Sequence, residues 1–169
     1  KNYSKLEDIS GNLNGYASSL VATDKNSIYD RAKESGSTKD IVSSAKKMVE
    51  SYNATLKQLR ETGDTLNEFY RQQLKDIPAG DKEALKSIGI TQAKDGSLSI
   101  DEKVLQSADA DTLKKVLDGD TGLASKISFV SGRISLNAAS NVVSTSSQYT
   151  SNGSSLLSAL ETSKYDFWG

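Results

Sequence analysis

The feature that most constrains this chain is a run of apolar residues spaced by fours and threes. Ile41, Ala45, Met48, Tyr52, Leu56 and Leu59 are followed by Leu66, Tyr70, Leu74 and Ile77. Such steps average about 3.5 residues, just under one helical turn, so the stripe stays on one side of a long helix and favours a left-handed seam between helices. The stretch from Asp40 to Leu59 alone is then a helix of roughly 30 Å, at about 1.5 Å per residue. Ser37 with Asp40 has the spacing of a capping box at its start. Gly63 falls on the seam. Either it ends one helix, with Thr65 and Glu68 forming a capping box for the next, or one helix runs through at a cost of about 1 kcal/mol. The break is the favoured reading. Pro78 and Gly80 end the second helical stretch, and Asp81 is placed to cap a short segment after it.

The flanks carry thinner versions of the same pattern. In residues 1–36, Tyr3, Leu6, Ile9, Leu13, Tyr16 and Leu20 keep helical spacing, although Gly11 and Gly15 interrupt it. A turn at 27–32 follows, then the joint Ser35-Gly36-Ser37. Near the other end, Leu123, Ile127, Val130, Ile134, Ala138 and Val142 mark a final helix made slim by Gly132 and serines. It is suited to pack closely against the seam of residues 41–59. Three regions result: an N-terminal helical segment (1–36), a helical body (37–143) and a Ser-rich tail (144–169). The fold class is mainly α, an elongated bundle or antiparallel coiled coil with one small β-hairpin.

That hairpin is where the period changes. Around Lys94-Asp95-Gly96-Ser97, Ile88, Ile90, Leu98 and Ile100 alternate with small or polar residues, which is strand spacing over about residues 88–100. Asp-Gly is a strong short hairpin signal. The stretch Thr91–Glu102 also half-matches a calcium loop, with Asp95 at position 5, Gly96 at the required glycine and Glu102 at position 12. Positions 1 and 3 are Thr91 and Ala93, so two oxygen ligands are missing. A turn explains Asp95-Gly96, and a helix N-terminus explains Asp101 and Glu102 through capping and the macrodipole. The acidic cluster Asp109, Asp111, Asp118 and Asp120 reads as N-caps and a helix-ending turn. No metal and no cofactor is expected.

Composition narrows the chemistry further. The chain has neither His nor Cys, which removes imidazole acid–base chemistry, thiolate nucleophiles and the commonest transition-metal ligands. With 21 basic and 22 acidic residues, no positive field recruits nucleic acid. No apolar run is long enough to span a membrane. No nucleophile–base pair shows a recognisable spacing, so the expectation is a protein that is not an enzyme. The first residue is Lys1, not Met, which reads as a processed or trimmed chain whose targeting segment is out of view.

The stretch IGITQAKDGSLSIDEKVLQSADADTLKKVLDGDTGLASKI, residues 88–127, resembles the carboxy-terminal region of the bacterial flagellar filament cap (hook-associated protein 2) family. Gly89-Ile90, Asp95-Gly96-Ser97-Leu98-Ser99-Ile100-Asp101, Leu105, Val116-Leu117, Gly119 and Gly122-Leu123-Ala124 carry it. Upstream, Val49, Tyr52, Asn53 and Leu56 match the family's helical Tyr-Asn pattern, so the likeness spans about residues 40–143. It implies a helical body with a small β element that serves assembly rather than catalysis. It also implies an extracellular place, on the flagellum or the cell surface, after export from the cytoplasm. The implied partners are proteins, flagellin or further copies of the chain itself, in a homo-oligomer. Family members are much longer, and here only about 45 residues follow Gly122-Leu123. The alternative is a secreted or surface-exposed helical adhesin that keeps a cap-like body.

The ending SKYDFWG gathers Tyr165, Phe167 and Trp168, the single Trp, within four residues. Large aromatics dominate interface energetics, so these three are candidate partner-binding residues. The competing reading has them pack on the chain's own bundle or at a dimer seam. Tyr52-Asn53 reads as a seam residue beside a polar neighbour.

Overall fold

The structure, a computed structural model, describes residues 1–22, 26–119 and 122–149, with the side chains of 144–149 excepted. Among the described residues the chain forms eight helices and one two-stranded sheet. Four long helices build the body: α1 (Asn2–Ser19), α3 (Lys39–Thr62), α4 (Thr65–Ala79) and α8 (Leu123–Tyr149). α1 lies against α3 and α8, and α4 against those same two, so the four close into a ring around one core. Every neighbour in the ring is antiparallel. Asn14 donates to the Ser128 carbonyl while Ser135 donates to that of Glu7, which runs α1 against α8. Gln58 reaches the Asn2 carbonyl and the Lys47 ammonium lies over the Tyr16 ring, which runs α1 against α3.

The seam residues of α3 and the first four of α8 end in this core, whereas Leu66 of the α4 run does not. Ile41, Ala45, Met48, Tyr52, Leu56 and Leu59 from α3 meet Leu123, Ile127, Val130 and Ile134 from α8, together with Leu6, Leu13 and Ala17 from α1. The main neighbours of α8 are α1 and α4, however, and not the 41–59 seam of α3. Small side chains set that choice. A Cβ on Gly11 would stand 3.5 Å from Ser135 Oγ, and one on Gly132 would stand 3.2 Å from Asn14 Nδ2. Of the two glycines that look like interruptions of α1, Gly11 is a contact point and Gly15 has nothing within 4 Å, and the helix is continuous across 18 residues.

α3 and α4 are separated at Gly63, which takes φ 79° and lets the chain leave α3. The cap of α4 is Asp64 and not Thr65, since Asp64 Oδ1 accepts from the Asn67 N–H at 3.0 Å. Asp64 sits at φ 68°, and its other oxygen accepts from the Tyr3 hydroxyl at 2.7 Å, which ties the start of α1 to this corner. That cap fixes the phase of α4, which buries Asn67, Tyr70, Leu74 and Pro78 and leaves Leu66 exposed. Thr38, without a side-chain bond, is the N-cap of α3, so the Ser37–Asp40 box does not form; Ser37 Oγ instead accepts from Lys39 N–H. Pro78 sits inside the last turn of α4, and Asp81 occupies the next N-cap without a side-chain bond.

Shorter elements lie in the two connections from α1 to α3 and from α4 to α8. α2 (Ile28–Ser35) packs on α7 (Ala110–Leu117), and α5 (Lys82–Ser87) leads into β1 (Ile90–Gln92). β2 (Leu98–Ile100) pairs antiparallel with β1, Ile90 facing Ile100 and Gln92 facing Leu98, and α6 (Glu102–Ser107) follows. Asp101 caps α6 through the Val104 N–H and Asp109 caps α7 through that of Thr112. None of the helices among the described residues is long and apolar enough to cross a membrane.

Candidate functional site

The hairpin is locked to the body by residues from three separate stretches of sequence. Its turn is closed by Ala93 N–H to the Ser97 carbonyl and by Gly96 N–H to that of Ala93, with Gly96 at φ 93°. A left-handed residue after a tight turn gives a bulge, and glycine adopts it without Cβ strain. Asp95 Oδ1 accepts from both the hydroxyl and the N–H of Ser97, which hold its carboxyl below the usual range. The oxygen that a calcium loop would aim at a metal is thus turned into the loop's own backbone.

Tyr52 and Asn53, neighbours on α3, then grip the hairpin. The buried Tyr52 hydroxyl donates to the Gly96 carbonyl at 2.9 Å, and burial pushes its ionisation well above the ordinary tyrosine range. Asn53 Oδ1 accepts from the Leu98 N–H and its Nδ2 donates to the Leu98 carbonyl, both at 2.8 Å. From the far side, Gln92 donates to the carbonyls of Lys75 on α4 and Gly96. At the hairpin's base, Asp101 N–H donates to the Gly89 carbonyl at 2.7 Å, while Gly89 takes φ 88°. A Cβ there would lie 2.7 Å from the Asp101 carbonyl oxygen, so this crossing requires glycine. Glu102, the last position of the half-matching calcium loop, pairs with Lys46 of α3.

Asp95, Gly96 and Asp101 are therefore brought together with Tyr52 and Asn53 in one clamp. Sequence reading missed the role of Asn53. The signal available for it was its place beside Tyr52 in the stretch that resembles the cap family. The second acidic cluster has structural work too: Asp109 caps α7, Asp111 pairs with Lys33, and Asp118 accepts from the Ala22 N–H. Asp120 and the three aromatic candidates Tyr165, Phe167 and Trp168 lie outside the described residues.

A second feature is apolar and exposed. Leu66 and Phe69 on α4 and Phe129 and Leu136 on α8 are large apolar side chains left in solvent, with Arg133 over the Phe129 ring. An open groove of about 460 Å³ runs between the two helices, lined by Gln73, Ile77, Lys126, Phe129 and Val130 among others. Comparison with protein families, with curated proteins and with solved structures finds no match to this chain.

Proposed function

We propose that this chain is a non-enzymatic assembly protein of the bacterial flagellum, similar to a filament cap, that acts through helix–helix contacts and self-association. The observation that carries the reading is the clamp. The two stretches that resemble the cap family, around Tyr52-Asn53 and from Gly89 to Leu105, lie about forty residues apart in sequence and interlock in space. A resemblance spread over two stretches has a simple physical basis when their residues hold one another in place. The polar groups that the sequence offers for chemistry support the non-catalytic part. Asp95, Asp101 and Asp109 all accept from backbone N–H groups and shape turns and helix starts.

The test is made with flagellin. Purified chain added below stoichiometry to polymerising flagellin should change the rate of filament growth, and sedimentation should show an oligomer. A strict monomer with no effect on growth, even at equal concentration, would exclude the flagellar reading and favour the adhesin.

A further inference from the structure

We infer that the Gly63–Asp64 corner is a hinge at which two copies of this chain exchange halves. In the exchanged pair α3 and α4 of each copy join into one helix, and α4 to α8 of each pack on α1 to α3 of the other.

The corner stores strain in two consecutive residues. Gly63 takes φ 79° and ψ −160°, and Asp64 takes φ 68° and ψ 169°. Both lie in a backbone region that is essentially glycine's own, and Asp64 carries a Cβ there. Beside them, Asn67 Oδ1 is the one buried side-chain polar atom among the described residues without a hydrogen-bond partner. Against this, Tyr3 donates to Asp64 at 2.7 Å and Asn67 Nδ2 donates to the Gly63 carbonyl at 2.8 Å, which holds the corner shut. A connection of two residues under strain invites the exchange of halves between copies.

The sequence carries the second arrangement. Across the corner Leu59, Gly63, Leu66, Tyr70, Leu74 and Ile77 step by fours and threes without a break, the register of one continuous seam. The bend interrupts that seam: Leu59 is fully buried, while Leu66 is 43% exposed and Phe69 56%. On the joined helix Leu66 follows Leu59 by two turns, on the same face. Two such helices crossing at Gly63 bring Leu66 and Phe69 of each copy toward the other, and glycine permits the close crossing.

Exchange leaves the other contacts nearly even. Those of α1 with α8 and of α3 with α4 are remade between copies, as is the grip of Tyr52 and Asn53 on the hairpin. The two forms differ at the corner alone, so the corner and the protein concentration set the balance between them. The inference stands apart from the flagellar reading. Copies can exchange in a chain that leaves filament growth unaltered, and a change in filament growth says nothing of the hinge.

The chain has no Cys, so Glu50→Cys with Ala79→Cys gives two exposed sites for spin labels. In the closed chain the Tyr52 hydroxyl lies at the Leu74 carbonyl, so the labels stand across two packed helices, under about 25 Å apart. On one continuous helix they are roughly 44 Å apart, at about 1.5 Å per residue. Labelled chain is unfolded and refolded at high concentration with an excess of unlabelled chain, so that only distances within one chain are read. Monomer and dimer are then separated by size. The dimer should show the long distance and the monomer the short one. Gly63→Ala with Asp64→Ala, which suits the corner to a helix, should raise the dimer fraction several-fold. Should that variant lose its helical circular dichroism, Gly63→Ala alone takes its place. Tyr3→Phe, which removes the hydroxyl from Asp64 and keeps the ring, should raise the fraction by a smaller factor. A dimer with only the short distance overturns the inference, because copies then associate without exchange. So does a failure of the unaltered chain to give any dimer. So does a dimer fraction untouched by the substitutions, because the corner then has no part in it.

Discussion

Asn53 on α3 holds both polar atoms of the Leu98 peptide group on β2, accepting from its N–H and donating to its carbonyl, each at 2.8 Å. In this hairpin the ladder bonds join Ala93 with Ser97 and Gly89 with Asp101, so Leu98, facing Gln92, turns its own N–H and C=O outward. An edge strand with unpaired groups is open to pairing with other chains. The Asn53 amide acts there as a one-residue third strand.

Asn53→Ala removes both bonds and leaves a half-buried N–H and C=O without their partner. At about 1 kcal/mol for each bond, the variant should lose about 2 kcal/mol of unfolding free energy in urea titration. Amide exchange should speed at Leu98 while the α1–α8 amides keep their protection. An unchanged urea midpoint would mean that water replaces the amide at no cost and that the clamp is held by Tyr52 and Gln92.

Gly89 and Gly36 both have positive φ, 88° and 75°, yet they should respond very differently to alanine. At Gly36 nothing lies within 4 Å of the added Cβ, so the cost is the left-handed backbone alone, about 1 kcal/mol. At Gly89 the Cβ meets the Asp101 carbonyl at 2.7 Å and the Val104 Cβ at 3.0 Å, and neither is the far end of a flexible chain. Gly89→Ala should therefore cost at least about 3 kcal/mol, the strain plus the clash, and melt the hairpin first. Thermal melts of the two variants side by side decide it. Equal shifts would mean that the crossing at Asp101 yields.

The pH profile follows from which groups are held away from their ordinary values. Backbone hydrogen bonding from Asn67, then the Tyr3 hydroxyl, lowers Asp64; Ser97 lowers Asp95 and Thr112 lowers Asp109. A depressed carboxyl adds stability above its unfolded value, about 3.9, and that stability is lost as pH falls through the folded value. Burial raises Tyr29 and Tyr52 above the ordinary 10.0. Their contribution is whole below pH 10 and is lost as pH climbs from there toward the raised folded values. With no His and no Cys between these limits, the melting temperature should be flat from about pH 5 to pH 9. A step near pH 6 or 7 in thermal melts would contradict this assignment.

What the sequence made legible was burial, and what it hid was partnership. The steps of three and four through Ile41–Leu59 and Leu123–Ile134 state that one face of each helix is covered, because every residue on that face must be apolar. They carry no word on which helix does the covering, and α1 takes the place beside α8 because Gly11 and Gly132 allow close approach. The hairpin was legible for a local reason: alternation and Asp-Gly are both short-range. The start of α4 was placed one residue late because Asp64 and Thr65 are both competent caps. Asp64 also holds a long-range bond from Tyr3, which local chemistry cannot reveal. Asn53 is the extreme case, a polar side chain beside a seam whose role depends on a strand 45 residues away.

The sharpest check on the body of the fold lies within one turn of α8. Ile134 is fully buried in the core, while Leu136, two residues on, is 67% exposed. Two residues turn a helix by about 200°, so the pair points to opposite sides. Ile134→Ala removes buried methyl groups and leaves a cavity between α1, α4 and α8, which costs about 2–5 kcal/mol. Leu136→Ala removes surface that the bundle leaves in solvent, and it should cost less than about 0.5 kcal/mol. Urea titrations of the two variants side by side check this, and equal costs would mean that Ile134 and Leu136 do not lie on opposite sides of the helix.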